Sequence, residues 1–293
     1  MDIRTVVVVG SGTMGAGIAQ VCAQAGFTTH LADRDPEALR RARDRIEAFW
    51  TKGIEKGKTT AAQRDAWRAN LHDAADAAKA ASGADLAIEA VPEDMALKRK
   101  VFAALDAAAP AHAVLATNTS SLSVAGIAAA TRRPGRVLGL HFFNPVPLMQ
   151  LLEIVRHDGT APDVLDAART FGARLGKTTI TVRDSPGFAT SRLGIILGNE
   201  AMRMLEEGVA SARDIDTAMR LGYGHPMGPL ELSDVVGLDV RLAISEYLEE
   251  TLGPQFAPPP LVRRLVEAGD VGKKAGRGLY DWTGGVPQER RLP

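Results

Sequence analysis

Cysteine is nearly absent from this 293-residue chain. Its one cysteine, Cys22, can close no internal disulfide, so neither a disulfide scaffold nor a cysteine zinc cluster is available. Also missing is any run of about 18 apolar residues, the length a membrane helix needs. The six histidines show no HExxH spacing, and no metal is expected. Charge of one sign is lacking too. Lys+Arg and Asp+Glu are both 35, so wholesale binding to nucleic acid or to an anionic membrane is not expected. The opening stretch MDIRTVVVVG lacks the basic region and long apolar segment of a secretory signal. Together these absences predict a soluble, cytoplasmic protein without a nucleic-acid or membrane partner.

What is present is an alternation. Hydrophobic residues make up 45% of the chain, and the length suggests about two domains. Short β-branched or apolar runs read as buried strands: 5–9, 27–33, 86–91, 114–117, 137–143, 151–155 and 178–182. Between them lie helical patterns. One runs to about Ala25 and stops at Gly26. Another opens at Asp35–Pro36 and runs toward Gly53. The stretch EKGKTTAAQRDAW turns into a further, partly exposed helix. This order predicts an α/β fold with a doubly wound, mostly parallel sheet covered on both faces. After Asp184 the strand signal stops. Helical patterns follow from Ser185–Pro186 to Glu207, then over 211–221, 229–250 and 260–268. The expected organisation is therefore residues 1–184, a nucleotide-binding α/β domain, and residues 185–293, an all-helical domain.

Gly10, Gly12 and Gly15 fit G-x-G-x-x-G between the first strand and the first helix. The first glycine makes the tight turn, the second lets a pyrophosphate approach the backbone, and the third lets helix pack on strand. The helix N-terminus then faces the phosphate charge. Thr13 and Met14 lie inside the motif and are counted with it. Asp33 ends the second strand, where an acid can hold a ribose 2′-hydroxyl and repel a 2′-phosphate. NAD is the expected cofactor, although Arg34 stands next to the acid. A plain glycine turn beside a surface aspartate is the structural alternative.

The stretch GLHFFNPVPLMQLLE, residues 139–153, raises a different question. It buries a histidine in one apolar run and a glutamate in the next. Buried ionisable groups are costly unless paired. His141 and Glu153 are therefore read as partners, either in core chemistry or in catalysis.

With these motifs in hand, nearly the whole chain resembles the short-chain L-3-hydroxyacyl-CoA dehydrogenases, including the bacterial 3-hydroxybutyryl-CoA dehydrogenases. The resemblance rests on VVVVGSGTMGAGIAQ, IEAVPEDMALKRKVF, TNTSSLSV, GLHFFNPVPLMQLLEIV, DSPGFATSR, LGYGHPMGPLELSDVVGLD and GKKAGRGLY. HFFNP and GHPMGPLEL are its specific parts; the glycine loop is shared with many nucleotide folds. The resemblance implies a Rossmann domain, a helical second domain that forms a homodimer, NAD as cofactor and an acyl-CoA substrate. It places the catalytic base on His141, its partner on Glu153 and a substrate-orienting serine on Ser120. Glu89, Lys98 and Asn118 fall in blocks that line the nicotinamide side. Lys56 is the nearest match to a CoA-contacting lysine. Where the family often has Asn in PGFxxNR, this chain has Ser191, a residue expected to bear on the acyl group.

The chemistry agrees with those roles. Oxidising a secondary alcohol removes a hydride from carbon and a proton from oxygen, and histidine suits the proton near pH 7. A glutamate on the other ring nitrogen fixes the tautomer and stabilises the imidazolium. Blander roles exist for each side residue. Ser120 could cap the next helix, Asn118 could be a turn residue, and Lys56 a solvated lysine. His225 and Cys22 are read as structural. Relatives of this fold also act on free hydroxy acids, as in the gulonate 3-dehydrogenase and lambda-crystallin branch. A lens-crystallin-like structural role would not need His141, Glu153 and Ser120 intact.

Overall fold

The computed structural model describes residues 1–292, and the chain divides into two compact units, Met1–Ser185 and a second that begins at Pro186. The first unit runs β1 (Thr5–Val9), α1 (Thr13–Gln24), β2 (Thr28–Ala32), α2 (Pro36–Glu55), α3 (Ala61–Ala69), β3 (Leu71–Ala74) and α4 (Ala77–Ala81). It continues with β4 (Leu86–Glu89), α5 (Met95–Ala108), β5 (Val114–Thr117), α6 (Val124–Ala128), β6 (Val137–Phe142), β7 (Leu151–Arg156), α7 (Pro162–Arg174) and β8 (Thr178–Arg183). Among the described residues these eight strands form one sheet in the order β3-β2-β1-β4-β5-β6-β7-β8. The first six follow the Rossmann order, with the chain reversing direction of travel between β1 and β4.

Local chemistry sets these boundaries. Val6, Val7 and Val8 are buried completely, as a central strand covered by helices on both faces requires. Asp35 caps α2 by accepting the Glu37 N–H, with Pro36 in the first turn. Thr60 and Gln63 close a capping box on α3. Trp50 and Trp67, with ring centroids 5.9 Å apart, join α2 to α3.

The sheet is mostly parallel, as expected, and departs from the sequence reading at its β3 edge. β3 and α4 were not expected; β3 is a four-residue edge strand, largely exposed, so it lacks the apolar run that marks the other strands. Every pairing is parallel except β6 with β7, which is antiparallel and sets His141 directly opposite Glu153.

The second unit holds α8 (Thr190–Glu206), α9 (Ala212–Gly222), α10 (Pro229–Val236), α11 (Leu238–Leu252), α12 (Pro260–Glu267) and a short antiparallel pair, β9 (Tyr280–Asp281) and β10 (Gln288–Glu289). The expected helix start at Ser185–Pro186 is corrected to Thr190. Gly187 and Phe188 have φ of 72° and 49°, a left-handed turn that no α-helix can include. The expected helix over 229–250 is broken at Gly237, whose φ is 105°.

Two buried aspartates organise this unit. Asp216 accepts the Leu230 and Glu231 N–H groups at the start of α10 and the Tyr280 hydroxyl, at 2.7–2.9 Å. Asp234 accepts the Leu279 and Tyr280 N–H groups and the Trp282 indole N–H, at 2.8–2.9 Å. Among the described residues no helix is long and apolar enough to cross a membrane.

Candidate active site

The C-terminal ends of the parallel strands gather the residues of interest. Register places Val9 beside both Ala32 and Glu89, Glu89 beside Thr117, and Thr117 beside Gly139. The loops after β1, β2, β4 and β5 therefore leave the sheet along one edge, where open α/β sheets bind ligands.

A cavity of about 790 Å³ opens at that edge, lined by the glycine loop, Asp33, Arg34 and the segment after β4. Its floor is cut for a dinucleotide. A Cβ on Gly15 would lie 1.8 Å from the Gly10 carbonyl oxygen, so only glycine lets α1 start so close to β1. Around Gly12, by contrast, the Cβ position is open space. Gly12 is also the N-cap of α1, with no side-chain cap and no acid in the first turn, so the N–H groups of Thr13 and Met14 are left for an anion. These features fit the pyrophosphate of NAD.

Asp33 is held at the rim of the cavity. Its Oδ2 accepts the Ser11 N–H at 2.9 Å and the Ser11 hydroxyl at 2.7 Å, and its Oδ1 accepts the Asp35 N–H at 3.1 Å. Burial pushes the carboxyl up, but these hydrogen bonds and one from the Arg34 N–H outweigh it and hold Asp33 below the ordinary carboxylate range.

Glu89 and Lys98 were expected among the cofactor contacts. Both are enclosed in the structure: Lys98 is 1% exposed and Glu89 not at all, with Nζ 2.7 Å from Oε1. Glu89 also accepts the Val91 N–H at 2.7 Å and the Thr117 hydroxyl at 2.8 Å. The pair braces the loops after β4 and β5 from beneath. Lys98 links onward to Glu93 at 3.2 Å. Glu93, which the sequence reading missed, accepts the Thr119 hydroxyl at 2.5 Å, the Ser120 N–H at 3.0 Å and the Ser120 hydroxyl at 3.4 Å. Its signal was present: an acid immediately after the segment 90–92 that lines the cavity, just before the Asp94 cap of α5.

Ser120 does not cap the helix that follows. Ser123 does, accepting the Gly126 N–H, which leaves Ser120 in the loop at the sheet edge. Asn118 Oδ1 accepts the Phe142 N–H at 2.9 Å and so ties the loop after β5 to the end of β6. Lys56 is exposed at the end of α2, and it is not among the residues that line the cavity. Ser191 is partly buried in the first turn of α8, in the second unit.

His141 and Glu153 are brought together. The antiparallel register puts their side chains on one face of the sheet, and Nδ1 lies 2.6 Å from Oε2. His141 is 6% exposed and Glu153 fully buried. The Phe143 ring lies 4.4 Å from the imidazole, centroid to centroid. This short, desolvated hydrogen bond fixes the orientation of the imidazole ring.

The model of the 3-hydroxyacyl-CoA dehydrogenase NAD-binding domain matches residues 5–185, and that of the C-terminal domain of the same enzymes matches residues 187–282. The chain belongs to the 3-hydroxyacyl-CoA dehydrogenase family. The probable 3-hydroxybutyryl-CoA dehydrogenase of Bacillus subtilis is 43% identical to this dehydrogenase over 283 residues, covering 96% of this chain and 98% of its own. The mitochondrial hydroxyacyl-coenzyme A dehydrogenase of Sus scrofa is 40% identical, covering 96% and 91%. Among solved structures, the (S)-3-hydroxybutyryl-CoA dehydrogenase of Ralstonia eutropha superposes with a TM-score of 0.92 at 39% identity, covering 96% of this chain and 99% of that one. The dehydrogenase is thus an NAD-dependent oxidoreductase with a Rossmann first unit.

Proposed function

We propose that this dehydrogenase reversibly oxidises an L-3-hydroxyacyl-CoA, such as 3-hydroxybutyryl-CoA, to the 3-ketoacyl-CoA, in the cytoplasm and as part of fatty-acid β-oxidation. The observation that carries the reading is the buried His141–Glu153 hydrogen bond of 2.6 Å on the sheet whose edge holds the dinucleotide cavity. The substrate class comes from the relatives' names.

When bound, NAD supplies the hydride acceptor. The chain's own residues handle the proton and the geometry. His141 Nε2 takes the hydroxyl proton of the substrate, and Glu153 stabilises the imidazolium that forms. In the reverse direction His141 returns that proton to the ketone oxygen. Ser120 holds the substrate oxygen, and Glu93 orients Ser120 through its N–H and hydroxyl. Glu89 and Lys98 keep Glu93 and the loop after β5 in place. Asn118 sits on the nicotinamide side. Gly10, Gly12, Thr13, Met14, Gly15 and Asp33 hold the adenosine and pyrophosphate. Lys56 meets CoA, and Ser191 contacts the acyl group.

The second unit is the substrate and dimerisation domain. Leu193, Leu197, Leu221, Tyr223, Val235 and Val236 are large apolar residues exposed on it, the composition expected of a surface covered by a second copy.

The test is one spectrophotometric comparison. Acetoacetyl-CoA with NADH should consume NADH, whereas L-gulonate with NAD should give no reduction. His141→Gln should lower turnover by roughly 100-fold or more while NADH binding is retained. Activity on gulonate alone would transfer the reading to the free hydroxy acids.

A further inference from the structure

Residues 143–150 form the turn between the two strands that carry His141 and Glu153. This turn is gripped from two sides. Lys177, the residue before β8, donates from Nζ to the Val146 carbonyl at 2.9 Å and to the Met149 carbonyl at 2.7 Å. The same ammonium lies 5.8 Å from the centre of the Phe142 ring. Burial pulls the Lys177 amine below its ordinary range. On the other side, Val146 is buried against α1, where a Cβ on Gly17 would lie 2.9 Å from the Val146 Cβ. Helix α1 is the one that opens at the glycine loop. The base-bearing hairpin therefore touches the cofactor helix through Val146, and Lys177 holds Val146 there.

We propose that Lys177 is a positioning residue for the reaction: by clamping the turn between β6 and β7, it fixes the His141–Glu153 hairpin against the cofactor helix. The role rests on the reading of His141 as the proton acceptor. Lysine suits it because one ammonium offers three donors on a long stem. It can bridge two carbonyls that point the same way out of a turn. Both bonds are charge-assisted, which makes them stronger than neutral ones. The turn's own bonds are few: the Leu148 and Met149 N–H groups both donate to the Pro145 carbonyl. The Thr178 N–H fastens Gln150 to β8 at 2.8 Å. Remove the ammonium and the middle of the turn loses its only donor from outside the hairpin among the described residues. The hairpin then shifts relative to α1, and the base with it. None of residues 143–150 lines the dinucleotide cavity, so the loss falls on the chemical step.

Lys177→Met keeps the stem and deletes the donors. It should lower kcat by about tenfold to a hundredfold, the scale of a small misplacement of a catalytic group, with the KM for acetoacetyl-CoA and the Kd for NADH near wild type. Lys177→Arg, which can still reach both carbonyls, should recover most of kcat. A folded Lys177→Met protein with wild-type kcat, or a loss confined to KM, overturns the proposal. Should Lys177→Met not fold, Gly17→Ala presses on Val146 from the opposite side and leaves Lys177 in place. It should show the same fall in kcat with unchanged KM, and wild-type kcat there overturns the coupling. His141→Gln run alongside separates the two readings. An undiminished kcat in that variant refutes His141 as the base, whereas a loss there with none in the Lys177 and Gly17 variants refutes the positioning role alone.

Discussion

Replacing Glu153 with glutamine isolates the charge of the carboxylate from its shape. The side chains are isosteric, so Glu153→Gln opens no cavity at a fully buried position and leaves the strand register alone. The amide oxygen can still accept from Nδ1, so the tautomer of His141 is kept. What disappears is the negative charge 2.6 Å from Nδ1, and that charge matters most once the ring has become an imidazolium. A hydrogen bond to a charged partner contributes about 1.5–3 kcal/mol. At about 1.4 kcal/mol per decade of rate, its loss lowers kcat by roughly 10- to 150-fold. Oxidation of L-3-hydroxybutyryl-CoA, followed by NADH absorbance, should show that loss in kcat, with the KM for NAD near wild type. Circular dichroism and thermal melting would establish that the variant is folded. A folded Glu153→Gln enzyme with wild-type kcat would mean that the carboxylate does not stabilise the transition state, and the pair would then be core chemistry only.

Three further outcomes are expected. Because Asp33 is held ionised at the rim of the cavity, NAD(H) should be preferred over NADP(H) by at least about tenfold, or about 1.4 kcal/mol; equal kcat/KM with NADPH refutes this. Ser191→Asn should alter the ratio of kcat/KM between short and medium acyl-CoAs by a few-fold, in keeping with about 1 kcal/mol for one hydrogen bond, and an unchanged chain-length profile refutes it. Asp106 is buried, which raises its carboxyl, yet the Arg132 N–H and the Arg133 and Arg132 guanidiniums outweigh burial and hold it below its ordinary value. A carboxyl lowered in the folded state stabilises fully above its unfolded value of about 3.9 and loses that contribution as pH falls through the folded value. Asp106→Asn should therefore cost about 1–3 kcal/mol at neutral pH and flatten the acid limb of the stability curve; an unchanged urea midpoint at pH 7 refutes it.

Much of the first unit was legible in the sequence because its signals are local. Strands such as Thr5–Val9 are buried on both faces and read as unbroken β-branched runs, and the caps at Asp35 and Thr60 announce their helices. Direction is not local. A buried strand is apolar whichever way it runs, so β7 read as one more strand of a mostly parallel sheet. The signal that distinguishes it was the connection: eight residues separate Phe142 from Leu151, too few for a parallel crossover of about a dozen. At the site, His141 and Glu153 stood out as ionisable groups inside apolar runs. Glu93 did not, because an acid in a polar loop before a helix looks like any first-turn carboxylate. Its partners Thr119 and Ser120 lie 26 and 27 residues away in sequence. Glu89 and Lys98 were legible as belonging to the site region, but their complete burial was not, because it depends on long-range packing.

The two aspartates of the second unit change how its last strand should open. The Leu279 and Tyr280 N–H groups and the Trp282 indole all end on Asp234, within α10, while the Tyr280 hydroxyl ends on Asp216, which caps that same helix. Residues 279–282 cannot peel away alone without stripping donors from two buried carboxylates. Their opening is thermodynamically joined to that of α10, so the two form one cooperative unit. In hydrogen exchange the amides of Leu279 and Tyr280 would then keep the pace of a helix interior, although by position they belong to a late, short strand that would otherwise be among the first to fray.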